Sequence, residues 1–294
     1  MTFRQMTTKD KTLYDSFLSG NETNSESSFA NMYAWRNVMD TKIAFDDENS
    51  YFIYTKRNGK QGCCFPKGRN SVSGIKKLID FFHSSGQDFI MESVTSEEIK
   101  IISENFDCFR YTEDPDLYDY VYTGEKLRTL PGKKLHSKRN HINKFKSLYP
   151  EYKYVNMEAK HLDICLDFSH KWLMEKWGSD ENIEFKNEYS SIKEFLINFD
   201  EFGLSGGMLI ADDTPVAFTI GEKLNKNTCV VHIEKAMTSY HGAYTMINNL
   251  YINNCWQDIE YVNREEDMGI DGIRKAKKSY YPDYMIKKYT VTFK

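Results

Sequence analysis

The stretch Met208-Leu-Ile-Ala-Asp-Asp-Thr-Pro-Val-Ala-Phe-Thr-Ile220 reads as two short apolar strands joined by a turn. Asp212 to Pro215 supplies the turn, because Asp tolerates left-handed backbone and Pro fixes φ. Cys229 to Glu234 then reads as a third strand, Gly242 to Cys255 as a helix, and Ile259 to Val262 as a fourth strand. A short basic helix from Gly269 to Tyr280 and a terminal strand through Tyr289 to Phe293 follow. An antiparallel meander followed by a helix, a strand and another helix is an α+β order rather than a doubly wound one. No G-x-G-x-x-G, Walker A or G-x-S-x-G sequence occurs, which disfavours dinucleotide-binding, P-loop and α/β-hydrolase folds.

Upstream, strands are expected at Tyr51–Tyr54, Phe89–Met91, Asp119–Tyr122 and near Tyr152 to Val155. Residues Ile75, Leu78, Ile79 and Phe82 recur at helical spacing, and Thr95-Ser-Glu-Glu98 offers a capping box for the next helix. Further helices are expected over Ser28–Trp35, His161–Trp177 and Ile192–Phe202. At 294 residues the chain is long enough for two domains, placed here at 1–124 and 125–294. With 40% hydrophobic and 28% charged residues it is an ordinary globular composition. No apolar run exceeds four residues, and the first eleven lack a secretory signal, so no membrane-spanning segment and a cytoplasmic location are expected. The six cysteines show no C-x-x-C pair and no histidine at zinc-finger spacing, so buried reduced thiols are expected and no metal site.

Net charge is −4, but eight basic residues and no acidic ones lie between Lys126 and Pro150. Without that stretch, 31 basic residues face 43 acidic ones, so a local anion site on an acidic body is one reading and a solvated helix face the other. Within Leu130-Pro-Gly-Lys-Lys-Leu-His-Ser-Lys-Arg-Asn-His-Ile-Asn-Lys-Phe145, an apolar stripe runs through Leu135, Ile142, Phe145 and Tyr149. Lys138 falls inside that stripe and Arg139 flanks it, so Lys138 either snorkels or meets an anion in a cleft. In Cys229-Val-Val-His-Ile-Glu-Lys-Ala236, alternation puts His232 and Glu234 on one face. Glu234 there is a candidate base or amine orienter, unless this is the polar face of an edge strand. The third stretch, Tyr261-Val-Asn-Arg-Glu-Glu-Asp-Met-Gly-Ile-Asp-Gly-Ile-Arg-Lys-Ala-Lys-Lys-Ser-Tyr-Tyr-Pro282, concentrates hydrogen-bonding groups at Asn263, Arg264 and Glu265.

At these three stretches the chain resembles a widespread bacterial family related to the C-terminal domain of phosphatidylglycerol lysyltransferases, over most of its length from Ser28 onward. That family is similar to tandem GNAT folds and to Fem-type aminoacyltransferases. The resemblance implies two tandem GNAT-like mixed αβ domains and an acyl- or aminoacyl-transferase moving an activated group, from aminoacyl-tRNA or less favourably acyl-CoA, to an amine or hydroxyl. It implies Glu234 and Glu265 as catalytic carboxylates, with Lys138, Arg139, Gly242 and Lys277 on the donor and His232, Asn263 and Arg264 on the acceptor. An acetyl-CoA cradle carries Gln/Arg-x-x-Gly-x-Gly/Ala, whereas Ser239 and Tyr244 flank Gly242 here, which disfavours CoA. The lysyltransferases' membrane-embedded portion is absent from these 294 residues, so lipid lysylation is not carried over, and the acceptor, a small molecule or lipid-like, stays open. The alternative reading is a noncatalytic module that holds tRNA, other RNA or another anionic ligand on the basic helix.

Overall fold

Local signals account for most elements in the computed structural model, which describes residues 1–55 and 59–293. The expected capping box forms: Glu98 N–H donates to Thr95 Oγ1 at 3.3 Å, and Thr95 N–H donates to the Glu98 carboxylate at 2.8 Å. The helix Ser71–Ser84 turns Ile75, Leu78 and Phe82 into the core, as its spacing requires. Asp212 and Asp213 both take positive φ, 50° and 55°, and close the two-residue loop between Ser205–Ala211 and Thr214–Lys223. One expectation shifts: the helix placed at Ile192–Phe202 runs instead from Ile183 to Ile197. Asn182 starts it early by accepting the Glu184 N–H at 2.8 Å, and Phe199 and Phe202 are core residues of the turns beyond its end.

The described chain divides into two compact units, residues 1–119 with 266–271 and 285–294, and residues 120–265 with 272–284. The expected boundary near Gly124 lies five residues past the first crossing, and a single cut leaves out the two later segments that return to the first unit. The first unit carries an eight-stranded sheet in which Lys288–Phe293 lies between Ile90–Thr95 and Phe109–Glu113, antiparallel to both. Thus the last strand of the chain completes the first sheet. Its Val291 joins Met91, Ile75, Leu78 and Phe82 in one core.

The second sheet has seven strands in the order Tyr284–Ile286, Asp119–Thr123, Tyr261–Asn263, Thr228–Ala236, Thr214–Lys223, Ser205–Ala211, Lys153–Asn156. Thr228–Ala236 is therefore a central strand, which corrects the edge-strand alternative. Its residues 228–231 are all buried, so both faces are covered. Two features open this sheet at one place. Parallel pairing with Tyr261–Asn263 extends only over Thr228–Val230, and the antiparallel register with Thr214–Lys223 slips by one residue at His232. His232 is the extra residue of a β-bulge, a device that re-aims side chains. The helices His136–Leu148 and Ala243–Cys255 pack on each other, and Leu162–Trp177 packs on Ile183–Ile197. Among the described residues all six cysteines are free thiols; Cys63, Cys165 and Cys229 are buried, whereas Cys108 is exposed, against expectation. No helix among them is long and apolar enough to cross a membrane, and no cluster of three or more metal-ligating side chains occurs.

Candidate functional site

The bulge and the unpaired strand ends place Glu222, His232, Glu234, Arg264 and Glu265 around one stretch of the second sheet. Three ion pairs result, one on Glu234 and two on His232. Glu234 accepts from Arg264 Nη2 at 2.8 Å through one oxygen and from Asn248 Nδ2 at 2.8 Å through the other. His232 is held between Glu265 (Nδ1 to Oε1, 2.7 Å) and Glu222 (Nε2 to Oε1, 3.1 Å), with Phe195 stacked on its ring at 4.9 Å. Burial opposes a charge on His232, but the two carboxylates outweigh it and raise its pKa to about 9. The ring is an imidazolium at neutral pH and both nitrogens are spent. His232 is therefore a strut between two strands and the turn at Glu265, with both nitrogens engaged.

Asn263 lies just before the turn that carries Glu265. It is fully buried, and its carbonyl accepts the Glu265 N–H at 2.7 Å. That bond closes a turn in which Glu265 sits at φ 57°, a left-handed conformation costly for a side-chain-bearing residue, by about 1–2 kcal/mol. The Glu265 carbonyl accepts from Tyr120 N–H and from Lys277 Nζ at 3.1 Å, while Arg264 N–H donates to Tyr120 O. Four bonds over-determine the strained turn and aim Arg264 and Glu265 in different directions. Lys277 thus holds backbone here rather than standing free.

Lys138 reaches the same place from the helix His136–Leu148. Its Nζ lies 4.0 Å from the centroid of the Tyr280 ring, and the Arg264 guanidinium lies 4.9 Å from that centroid and 5.7 Å from that of Tyr122. Lys138 has no hydrogen bond or carboxylate partner among the described residues, and burial, then Arg264, lowers its pKa to about 8 against the pull of Glu234. Arg264 is nine-tenths buried, and its Nη1, like Asn248 Oδ1, is shut off from solvent without a hydrogen-bond partner. Burial opposes the arginine's charge, but Glu234 more than restores it, so its pKa rises. A buried unsatisfied donor costs about 1–3 kcal/mol. A site with an idle cation, an idle N–H and an idle carbonyl is built to receive a polar group.

Arg139 is not part of it. One residue on from Lys138, it lies about 100° round the helix and caps the turn at Leu130 and Gly132 by donating to both carbonyls. Gly242 has φ 88°, and a Cβ there would sit 2.4 Å from the His141 carbonyl oxygen. Its absence of a side chain lets the two helices meet. Around it Tyr240 N–H and Ala243 N–H donate to the Met237 and Tyr240 carbonyls, so two amides of the loop are already used. Sequence reading missed Glu222, Asn248, Tyr122 and Phe195; Tyr280 lay inside a quoted motif, but its ring gave no sign of bridging two cations.

Two mixed sheets of this kind form a tandem GNAT-like fold. The tandem GNAT protein of the clavulanic acid biosynthesis pathway shares it at TM-score 0.52 and 7% identity, over 99% of this chain and 98% of that one. The chain belongs to the phosphatidylglycerol lysyltransferase C-terminal family, whose model matches residues 19–292. A conserved protein of unknown function from Bacteroides thetaiotaomicron is 35% identical over the whole of both chains, at TM-score 0.92. The L-PGS structure from Bacillus licheniformis matches at TM-score 0.67 and 14% identity, over 97% of this chain and 92% of that one. An uncharacterised protein of Mycoplasmoides gallisepticum is 25% identical over 209 residues; the match spans 70% of this chain and 65% of that protein.

Proposed function

We propose that the chain transfers an aminoacyl or acyl group from an activated ester to an amine or hydroxyl. The observation that carries this reading is the nearness of Lys138, a cation with no direct ion pair among the described residues, to Arg264 Nη1, a buried donor without an acceptor, both beside the Tyr280 ring. Attack on an ester carbonyl puts negative charge on its oxygen, and preorganised donors in a dry site are what lower that barrier. Glu234 holds Arg264 in place, and with both oxygens already bonded it acts first as a positioning residue. The acceptor loses one proton and the leaving hydroxyl gains one, so the transfer is proton-neutral overall.

The carrier of the ester is read from the donor loop. A CoA pyrophosphate needs several free amides at a helix N-terminus. Here two loop amides are bonded internally and the His141 carbonyl crowds Gly242, which favours an aminoacyl-RNA ester over CoA. The test is a screen of radiolabelled aminoacyl-tRNAs and acetyl-CoA against amine, hydroxyl and phospholipid acceptors. We expect labelled product from an aminoacyl-tRNA and a fall of about tenfold or more in kcat for Arg264→Lys, which keeps the charge but loses the fork. No turnover with any ester, alongside steeply salt-dependent RNA binding, would replace this reading with that of an RNA-holding module.

A further inference from the structure

On the other side of the basic helix from Lys138 the second unit has a cleft of about 200 Å³. Its lining includes Arg128, His136, Arg139, Asn140, Asn143 and Asn249, and no acidic side chain. Both arginines are pinned along one edge. Arg128 Nη1 donates to Trp256 O at 2.9 Å and to Ile259 O at 3.3 Å, and Arg139 Nη1 donates to Leu130 O and to Gly132 O. Asn249 is pinned as well, donating to the Leu127 and Arg128 carbonyls at 2.7 and 2.8 Å. Neither guanidinium has a carboxylate partner among the described residues. Each keeps further N–H groups beyond the pinned nitrogen.

We infer that this cleft is a second anion site, separate from the transfer site, which takes a phosphoryl group. Two immobilised guanidinium groups without counter-charge match a tetrahedral oxyanion and have already lost their rotamer freedom. Carbonyls satisfy their pinned edges but leave two positive charges in one recess, which a phosphate monoester dianion neutralises and a backbone phosphodiester monoanion halves. The volume falls below the roughly 300–1,000 Å³ of sites that enclose drug-sized ligands, so the cleft receives a group and leaves the rest of the molecule outside. The amides of Asn140 and Asn143 offer hydrogen bonds of either polarity to what the phosphoryl group is attached to.

The phosphoryl group can belong to a free phosphate ester or to an RNA backbone. The full chain is titrated calorimetrically with inorganic phosphate, adenosine 5′-monophosphate, adenosine, and a single-stranded oligoribonucleotide. Asn143 is exposed and has no side-chain hydrogen bond among the described residues, so Asn143→Asp adds a negative charge to the cleft without removing a contact. Asn143→Asp and Arg139→Gln are each expected to weaken the phosphate-bearing probes by about tenfold or more, while Lys138→Ala changes them less than about twofold. Asparagine 143 keeps the test meaningful if Arg139→Gln loosens the turn at Leu130. Binding of the monophosphate but not of adenosine assigns a free ester. Binding of the oligonucleotide alone, with the same sensitivity to Asn143→Asp, assigns a backbone phosphate. The inference is overturned if no phosphate-bearing probe binds, or if Lys138→Ala abolishes binding that Asn143→Asp leaves intact. Because the readout is binding, it stands or falls apart from any transfer activity.

Discussion

Lys138 and His232 are titratable groups pushed in opposite directions, and each gives a signature in pH. Burial and Arg264 lower Lys138 to about 8, so it is charged below that value and neutral above it. A ligand that sets its anionic group against Lys138 in the transfer site, unlike one held in the Arg128–Arg139 cleft, favours the charged form, so its affinity is expected to be flat below pH 8 and to fall as pH rises through 8. Lys138→Ala removes the dependence and costs about 1–2 kcal/mol of binding at pH 7, measured by calorimetry. A ligand whose affinity stays constant from pH 7 to 9.5 would show that Lys138 does not touch it. His232 is raised to about 9 from an ordinary value near 6.5. Its two ion pairs therefore contribute stability that is fully present below pH 6.5 and is lost as pH rises through 9, by up to about 3 kcal/mol. Urea midpoints should fall over that window in the wild-type chain and stay level in His232→Gln, which lacks the titrating group.

At the scale of elements, the clearest constraint is the meeting of the helices His136–Leu148 and Ala243–Cys255 at Gly242. Its φ of 88° and the 2.4 Å approach of the His141 carbonyl make Gly242→Ala costly on two counts, left-handed strain and overpacking. A loss of about 2–4 kcal/mol is expected in denaturant unfolding, and a loss below about 1 kcal/mol would mean the helices can slide apart cheaply. The elements themselves were legible where their causes are local. Thr95 and Glu98 are three residues apart, Asp212 and Asp213 adjoin, and Ile75, Leu78 and Phe82 share a helical face. Phe109–Glu113 was not expected as a strand, because four of its five residues are exposed and show no apolar alternation. The site was legible only in part. Lys138, Glu234 and Arg264 stand out as charges at inward positions of their own elements. Their neighbours Asn248 and Tyr280, and the Glu222 that pairs with His232, are chosen by sheet register, by a one-residue bulge and by helix packing, none of which is written near them.

The first unit is completed by Lys288–Phe293, a strand that returns to it after the residues of the second unit. Lys288 opens the final strand and is fully buried. Its Nζ lies 2.7 Å from both Asp119 and Glu26, 3.9 Å from Glu266, and 3.2 Å from Ser25 Oγ. Asp119 ends the first segment of the unit and Glu266 begins the second, so one ammonium group joins all three segments that the unit is made of. Burial, Asp119 and Glu26 act on Lys288 together, the carboxylates prevailing, and its pKa stands well above the ordinary lysine value. A buried ion pair adds little net stability while intact, because desolvation offsets attraction. Removing one member is different, since Asp119, also fully buried, then loses its cation and retains neutral donors such as the Ser25 N–H and hydroxyl. Lys288→Met, close in length and apolar, should therefore destabilise the unit by about 3–5 kcal/mol. Lys288→Met combined with Asp119→Asn should recover part of that loss, because the orphaned charge goes with the cation. Hydrogen exchange resolved by segment would locate the effect, with protection lost in Ile90–Thr95, Phe109–Glu113 and Lys288–Phe293 before the strands of the second sheet. Equal stability of Lys288→Met and the wild-type chain would mean that the strand's pairing alone, and not its charge, holds Lys288–Phe293 in the sheet.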